Sequence, residues 1–103
     1  GVPGTHDPGL AIETFEALRA ADFRPLRLPR FDKATDDRLP VAQWRCVEEA
    51  PDVLLFEGWC NHCPPQSPEE LVEALNPLER EEDPEGIWRR AVNDFLIDYH
   101  RGL

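Results

Sequence analysis

Across 103 residues the chain carries a net charge of −10, with 41% hydrophobic and 31% charged residues. That length holds one domain at most, with the composition of a soluble globular protein. A pI near 4.6 excludes a basic nucleic-acid or anionic-membrane surface, because phosphate groups select for patches of Lys and Arg.

No apolar run approaches the roughly 20 residues of a membrane-spanning helix. Three cysteines are an odd number and do not close a disulfide framework, so a reduced, cytoplasmic setting is expected.

In chain order, residues 1–7 form a loop whose last member, Asp7, is a good N-cap, followed by Pro8 at a first helical position. Ala11, Phe15 and Leu18 recur at helical spacing and predict an amphipathic helix over 8–21. The loop, with Gly1, Gly4, Thr5, His6 and Asp7 at a helix start, is either an ordinary capped entry or a place where an anion meets backbone N–H groups. Residues 24–29 alternate polar and apolar, but Pro25 and Pro29 demote them to an edge strand or extended segment. Residues 30–38 read as a polar loop containing Lys33, the single lysine. Residues 41–49 read as a short helix or turn.

Val53, Leu54, Leu55 and Phe56 are an unbroken apolar run between Pro51-Asp52 and Gly58. That pattern predicts a strand buried on both faces, as in a parallel sheet under helices. Glu57 then stands at the strand's carboxyl end, where open α/β sheets place their ligands, in the manner of a Walker B carboxylate. The plainer reading is a loop carboxylate. Cys60, His62 and Cys63 follow as soft ligands, but a structural zinc site needs four, so they are read as loop residues. A Cys/His catalytic pair is less favoured still at this spacing.

Ser67-Pro68-Glu69-Glu70 is a helix start of the capping-box type, with Leu71, Leu75 and Leu78 as its stripe and Pro77 as its end or kink. Asp83-Pro84 repeats the start signal. Trp88, Val92, Phe95 and Tyr99 then predict a helix to about His100, stopped by Gly102. Arg80, Arg89 and Arg90 either balance local acid or form a phosphate-facing cluster.

Taken together, Gly1-Val2-Pro3-Gly4-Thr5-His6-Asp7, Leu28-Pro29-Arg30-Phe31-Asp32-Lys33, Asp36-Asp37-Arg38 and Leu55-Phe56-Glu57-Gly58-Trp59-Cys60 resemble the D-glycerate 3-kinase-like branch of the P-loop kinases. Asn76 to Pro84, Trp88-Arg89-Arg90 and Val92-Asn93 resemble it too, so the likeness runs along essentially the whole chain. It implies an α/β fold, a partial P-loop kinase with a parallel sheet flanked by helices. It also implies ATP-dependent phosphoryl transfer to a small hydroxylated acceptor such as glycerate.

On the same resemblance Glu57 serves magnesium and, with Asp7, belongs to the catalytic groups. Thr5, His6, Asp32, Lys33 and Arg38 face the acceptor, Arg38 as a bidentate holder of carboxylate or phosphate. Arg80, Arg89 and Arg90 lie in or beside a phosphate-covering lid. The segments implied are a substrate loop and helix (1–23), an acceptor-facing loop (24–50), a Walker B-like strand and loop (51–63), and lid and C-terminal helices (64–103).

Two departures accompany the likeness. The phosphate-binding loop Gly-x-x-x-x-Gly-Lys-Ser/Thr is missing from these residues; in these kinases it lies upstream of the Gly-Thr-His-Asp segment. The chain is therefore expected to be a fragment or truncated product, inactive alone. The residues after Cys60 also differ from the small ones usual in that branch. A rival expectation is a non-catalytic binding module on a degenerate kinase scaffold; a further one is a small metal-dependent domain built on Cys60, His62 and Cys63. In either setting the apolar strand is expected to need a partner chain or self-association to cover it.

Overall fold

The computed structural model describes all residues, Gly1–Leu103. It divides into two compact units: Gly1–Gly9 with Glu57–Leu103, and Leu10–Phe56. No helix is long and apolar enough to cross a membrane.

Helix α1 spans Pro8–Leu18, beginning in the first unit and continuing in the second. Its last turn closes with Arg19 N donating to the Phe15 carbonyl at 3.1 Å. It stops short of the predicted Ala21, and Pro25 then holds Arg24 out of the helical region.

In the second unit, β1 (Leu26–Leu28) pairs antiparallel with β4 (Arg45–Val47), Arg27 standing opposite Cys46. Between them β2 (Phe31–Asp32) and β3 (Asp37–Arg38) form a hairpin, with Asp32 opposite Asp37. The predicted polar loop is thus a hairpin. The segment after it is a single 3-10 turn, Val41–Gln43, followed by β4 rather than a helix. The Trp44 indole N–H donates to the Leu39 carbonyl at 2.6 Å and Arg27 Nη1 to the Trp44 carbonyl at 2.9 Å. These bonds hold the chain extended where β4 begins.

The largest difference from expectation lies at residues 53–56. They form no strand, and Leu55 is 90% exposed. Both sheets are antiparallel pairs, so no parallel neighbour meets this run. A strand written for two-sided burial needs hydrogen-bonded neighbours on its edges, and without them the backbone has no ladder to join. Only Phe56 finds a ring, meeting Phe15 edge-on at 4.9 Å and 71°.

In the first unit, α3 (Ile87–Gly102) matches the predicted stripe. Its start is held from a distance: the Asp83 carboxylate accepts from Trp88 N and Arg89 N, each at 3.0 Å. Helix α2 (Pro77–Glu82) reverses the expectation for Pro77, which opens this helix instead of ending one. Asn76 caps it, accepting from Glu79 N at 2.9 Å, and proline at a first helical position lacks only an N–H that would have no partner anyway.

The Ser67 capping box does form. Ser67 N donates to Glu70 Oε2 at 2.8 Å and Glu70 N to Ser67 Oγ at 3.4 Å. Yet the chain makes turns there and no helix. The carbonyls of Leu71 and Val72 are taken by the Arg89 side chain, and Pro77 begins the next element. The local start signal is obeyed; the helix it announces is not.

The buried apolar set is small: Leu18, Cys60, Leu71 and Tyr99. Buried Asn93 ties α3 to residue 66 like a rung of sheet, accepting from Gln66 N at 2.7 Å and donating to its carbonyl at 3.0 Å.

Candidate functional site

Within the first unit, two motifs far apart in sequence meet on α3. The N-terminal loop folds as a turn, with Thr5 N donating to the Val2 carbonyl at 3.0 Å and Thr5 Oγ1 to the same oxygen at 2.7 Å. Gly4 sits at φ +95°, and a Cβ there would lie 2.5 Å from Cδ2 of Phe95. Glycine is required twice over, by the dihedral and by the ring of α3 against it. One turn further along α3, Tyr99 faces His6 with ring centroids 5.7 Å apart.

The second motif follows Glu57. Asn61 N donates to the Gly58 carbonyl at 3.1 Å, and Asn61 Oδ1 accepts from the Tyr99 hydroxyl at 3.0 Å. The Trp59 indole N–H donates to the Gly1 carbonyl at 3.1 Å. Tyr99 therefore touches both motifs, the imidazole of His6 on its ring and the turn after Glu57 on its hydroxyl. Thr5, His6, Asp7 and Glu57 are all exposed, as residues that meet a small ligand need to be.

Burial pushes the Tyr99 phenol above its ordinary value, and the Cys60 and Cys63 thiolates add to the rise. Replacing both cysteines by serine is expected to bring the Tyr99 titration part of the way back down. Tyr99 is the single tyrosine, so ultraviolet absorbance against pH reads it directly; an unchanged midpoint would contradict the packing of this turn on α3.

The arginines expected in a lid divide. Arg89 is engaged by the protein itself: Nε donates to the Leu71 carbonyl at 2.7 Å and Nη2 to that of Val72 at 3.0 Å. Nη1 reaches the Asp83 carbonyl at 2.6 Å and its carboxylate at 3.4 Å. That fork joins three stretches of chain, and in this arrangement it turns no such face to a phosphate. Arg90 Nη1 donates to the Glu85 carbonyl at 2.7 Å, and Arg80 is exposed on α2.

Asp32, Lys33 and Arg38 belong to the second unit, where the hairpin tip is tied by its own aspartate. Asp32 Oδ1 accepts from Ala34 N at 3.0 Å and Oδ2 from the Thr35 hydroxyl at 3.2 Å. Lys33 and Arg38 are exposed.

No group of three or more His, Cys, Asp or Glu side chains is placed to hold a metal ion. Magnesium commonly takes one or two carboxylates plus phosphate oxygens and water, and Glu57 fits as one such carboxylate. For ATP the fit fails within these residues, because no Gly-x-x-x-x-Gly-Lys-Ser/Thr loop supplies a backbone cradle. A groove of about 590 Å³ between the turns at 66–75, α2 and α3 is lined by Leu71, Leu75, Trp88 and Val92 and by Glu70 and Glu79. Its apolar floor and acidic members suit neither a hydroxy acid nor a nucleotide phosphate.

The geometry defines a loop-on-helix site in which the 1–7 loop and the turn after Glu57 meet on α3. The chain is similar to the chloroplastic D-glycerate 3-kinase of Arabidopsis thaliana, with 36% identity over 83 residues, covering 75% of this chain and 18% of that kinase. The match supports relatedness to that kinase family and a kinase-like origin. No protein-family model matches the chain, and no solved structure matches it.

Sequence reasoning found Thr5, His6 and Glu57 as candidates but missed Tyr99 and Asn61 as the groups that link them. Tyr99 was visible only as the last member of the α3 stripe, which says that it is buried and not what it touches.

Proposed function

We propose that the chain is the acceptor-side segment of an ATP-dependent small-molecule kinase that phosphorylates a hydroxylated acid of the glycerate type. The observation that carries this reading is the match to D-glycerate 3-kinase. It is supported by the meeting of the Gly-Thr-His-Asp loop and the turn after Glu57 on one helix. In a complete kinase ATP would supply the phosphoryl group and magnesium would neutralise its charge. Thr5 and His6 would bind and orient the acceptor, with Asp7 beside them at the start of α1, and Glu57 would hold magnesium or one of its waters. The resemblance also assigns Asp32, Lys33 and Arg38 to the acceptor and Arg80 and Arg90 to the lid. A partner chain or a preceding segment supplies the phosphate loop.

Phosphoryl transfer is mostly positioning and charge neutralisation, so a chain without the phosphate loop is expected to show no turnover. Purified residues 1–103 incubated with ATP, magnesium and D-glycerate should release neither ADP nor phosphoglycerate. Once joined to a segment bearing a Gly-Lys-Ser/Thr loop, the same residues are expected to give product. Magnesium-dependent hydrolysis by the chain alone would defeat the first expectation. A folded extended chain that binds ATP and transfers nothing would defeat the second.

A further inference from the structure

Cys60-Asn61-His62-Cys63 follows Glu57 at once, and the kinase reading gives neither cysteine a task. Its backbone is a closed turn: Cys63 N donates to the Cys60 carbonyl at 3.2 Å, directly after the turn in which Asn61 N meets the Gly58 carbonyl. His62 lies in the left-handed region at φ 59°, an uncommon place for a side-chain-bearing residue. A hydrogen-bonded turn of this kind holds its first and fourth Cα atoms within about 7 Å. Disulfides span Cα separations of about 4.4 to 6.8 Å, so the turn brings the two residues into bridging range.

The two thiols differ in access. Cys60 is buried, at 5% exposure, and Cys63 is exposed; both are free thiols. Cys63 Sγ lies 3.8 Å from the carbonyl oxygen of Trp59, the residue before Cys60. One accessible thiol and one sheltered thiol within bridging range are the parts of a two-step thiol–disulfide exchange.

We propose that Cys60 and Cys63 form a dithiol–disulfide site that exchanges with small-molecule disulfides of the glutathione class. The exposed Cys63 thiolate attacks one sulfur of the small disulfide, forming a mixed disulfide and releasing one thiolate. Cys60, deprotonated, then attacks Sγ of Cys63, forming the Cys60–Cys63 bond and releasing the second thiolate. The protein loses two protons and two electrons, and the small disulfide is reduced to two thiols. The product pins the turn that Asn61 joins to Tyr99. The site does not depend on the kinase reading.

The test uses residues 1–103, reduced, desalted and equilibrated with reduced and oxidised glutathione over a range of ratios. Samples are quenched with acid, alkylated, and read by intact mass and peptide mapping. The expected product is lighter by two hydrogens, crosslinked between Cys60 and Cys63, and alkylated at Cys46. Cys60→Ser is expected to retain glutathione on Cys63, because nothing resolves the mixed disulfide. Cys63→Ser is expected to react with oxidised glutathione at least about tenfold more slowly. Alkylation of all three cysteines at every ratio would overturn the proposal. So would a persistent glutathione adduct on the unsubstituted chain, or a crosslink that includes Cys46; the readings on the unsubstituted chain do not depend on how the variants fold.

Discussion

Replacing Arg89 by methionine is expected to lower the melting midpoint by roughly 10 °C or more, a large shift for a chain of this size. The guanidinium fork serves three backbone carbonyls and one carboxylate, at Leu71, Val72 and Asp83. Methionine keeps much of the length of the stem and offers no donors, so those oxygens lose their partners. Lysine should recover less than half of the loss, since one ammonium cannot reproduce a planar fork.

Removing Arg89 also weakens its partner. Burial pushes the Asp83 carboxyl up, but the Trp88 and Arg89 N–H groups and the Arg89 charge outweigh it and hold it below the ordinary range. A carboxyl depressed on folding contributes stability above its unfolded value, near pH 4, and loses it as pH falls through the folded value. The native chain should therefore lose stability steadily below about pH 4, and Arg89→Met should flatten that dependence. A variant with an unchanged melting midpoint would leave Arg89 available for the phosphate-facing role that the family resemblance implies.

Replacing Glu57 by glutamine, in a chain extended to carry the phosphate loop, is expected to cut turnover by about 10²–10³. Glutamine keeps the shape and hydrogen-bonding capacity of the side chain while removing the charge that supports magnesium as negative charge shifts in the transition state. Melting should barely move, because Glu57 is exposed and no core contact depends on it. Wild-type turnover at saturating ATP and magnesium would show Glu57 to be an ordinary loop carboxylate.

The contrast between these two residues shows what the sequence could convey. Helix α3 was legible because Trp88, Val92, Phe95 and Tyr99 repeat at a helical period, which is a local property. The Asn76-Pro77 start went unread because Pro77 was weighed as the end of the preceding stripe, and the same residue serves either purpose depending on its cap. Residues 53–56 were misread because two-sided burial is a property of neighbours; apolar composition states a need without supplying the strands that meet it. The hairpin at 31–38 was hidden by its polar character, its tip being set by Asp32 bonding its own backbone.

For the candidate site, the loop and turn residues were legible through resemblance. Their meeting on Tyr99 was not, since contacts over 38 and 93 positions leave no local trace. Arg89 was legible as a cation and illegible as a staple, because two of the carbonyls it holds, those of Leu71 and Val72, belong to turns that replaced a predicted helix.

The central claim is that residues 1–7 and the turn after Glu57 receive a hydroxylated acid. It is tested most directly by titrating the isotope-labelled chain with D-glycerate while following backbone amide resonances. Saturable shifts are expected at Thr5, His6 and Asp7 and in the Gly58–Asn61 turn. They should be absent with propionate, which keeps the carboxylate and lacks the hydroxyls, and weakened in Thr5→Val. No saturable shift at these amides, or equal shifts with propionate, would contradict the acceptor-side assignment.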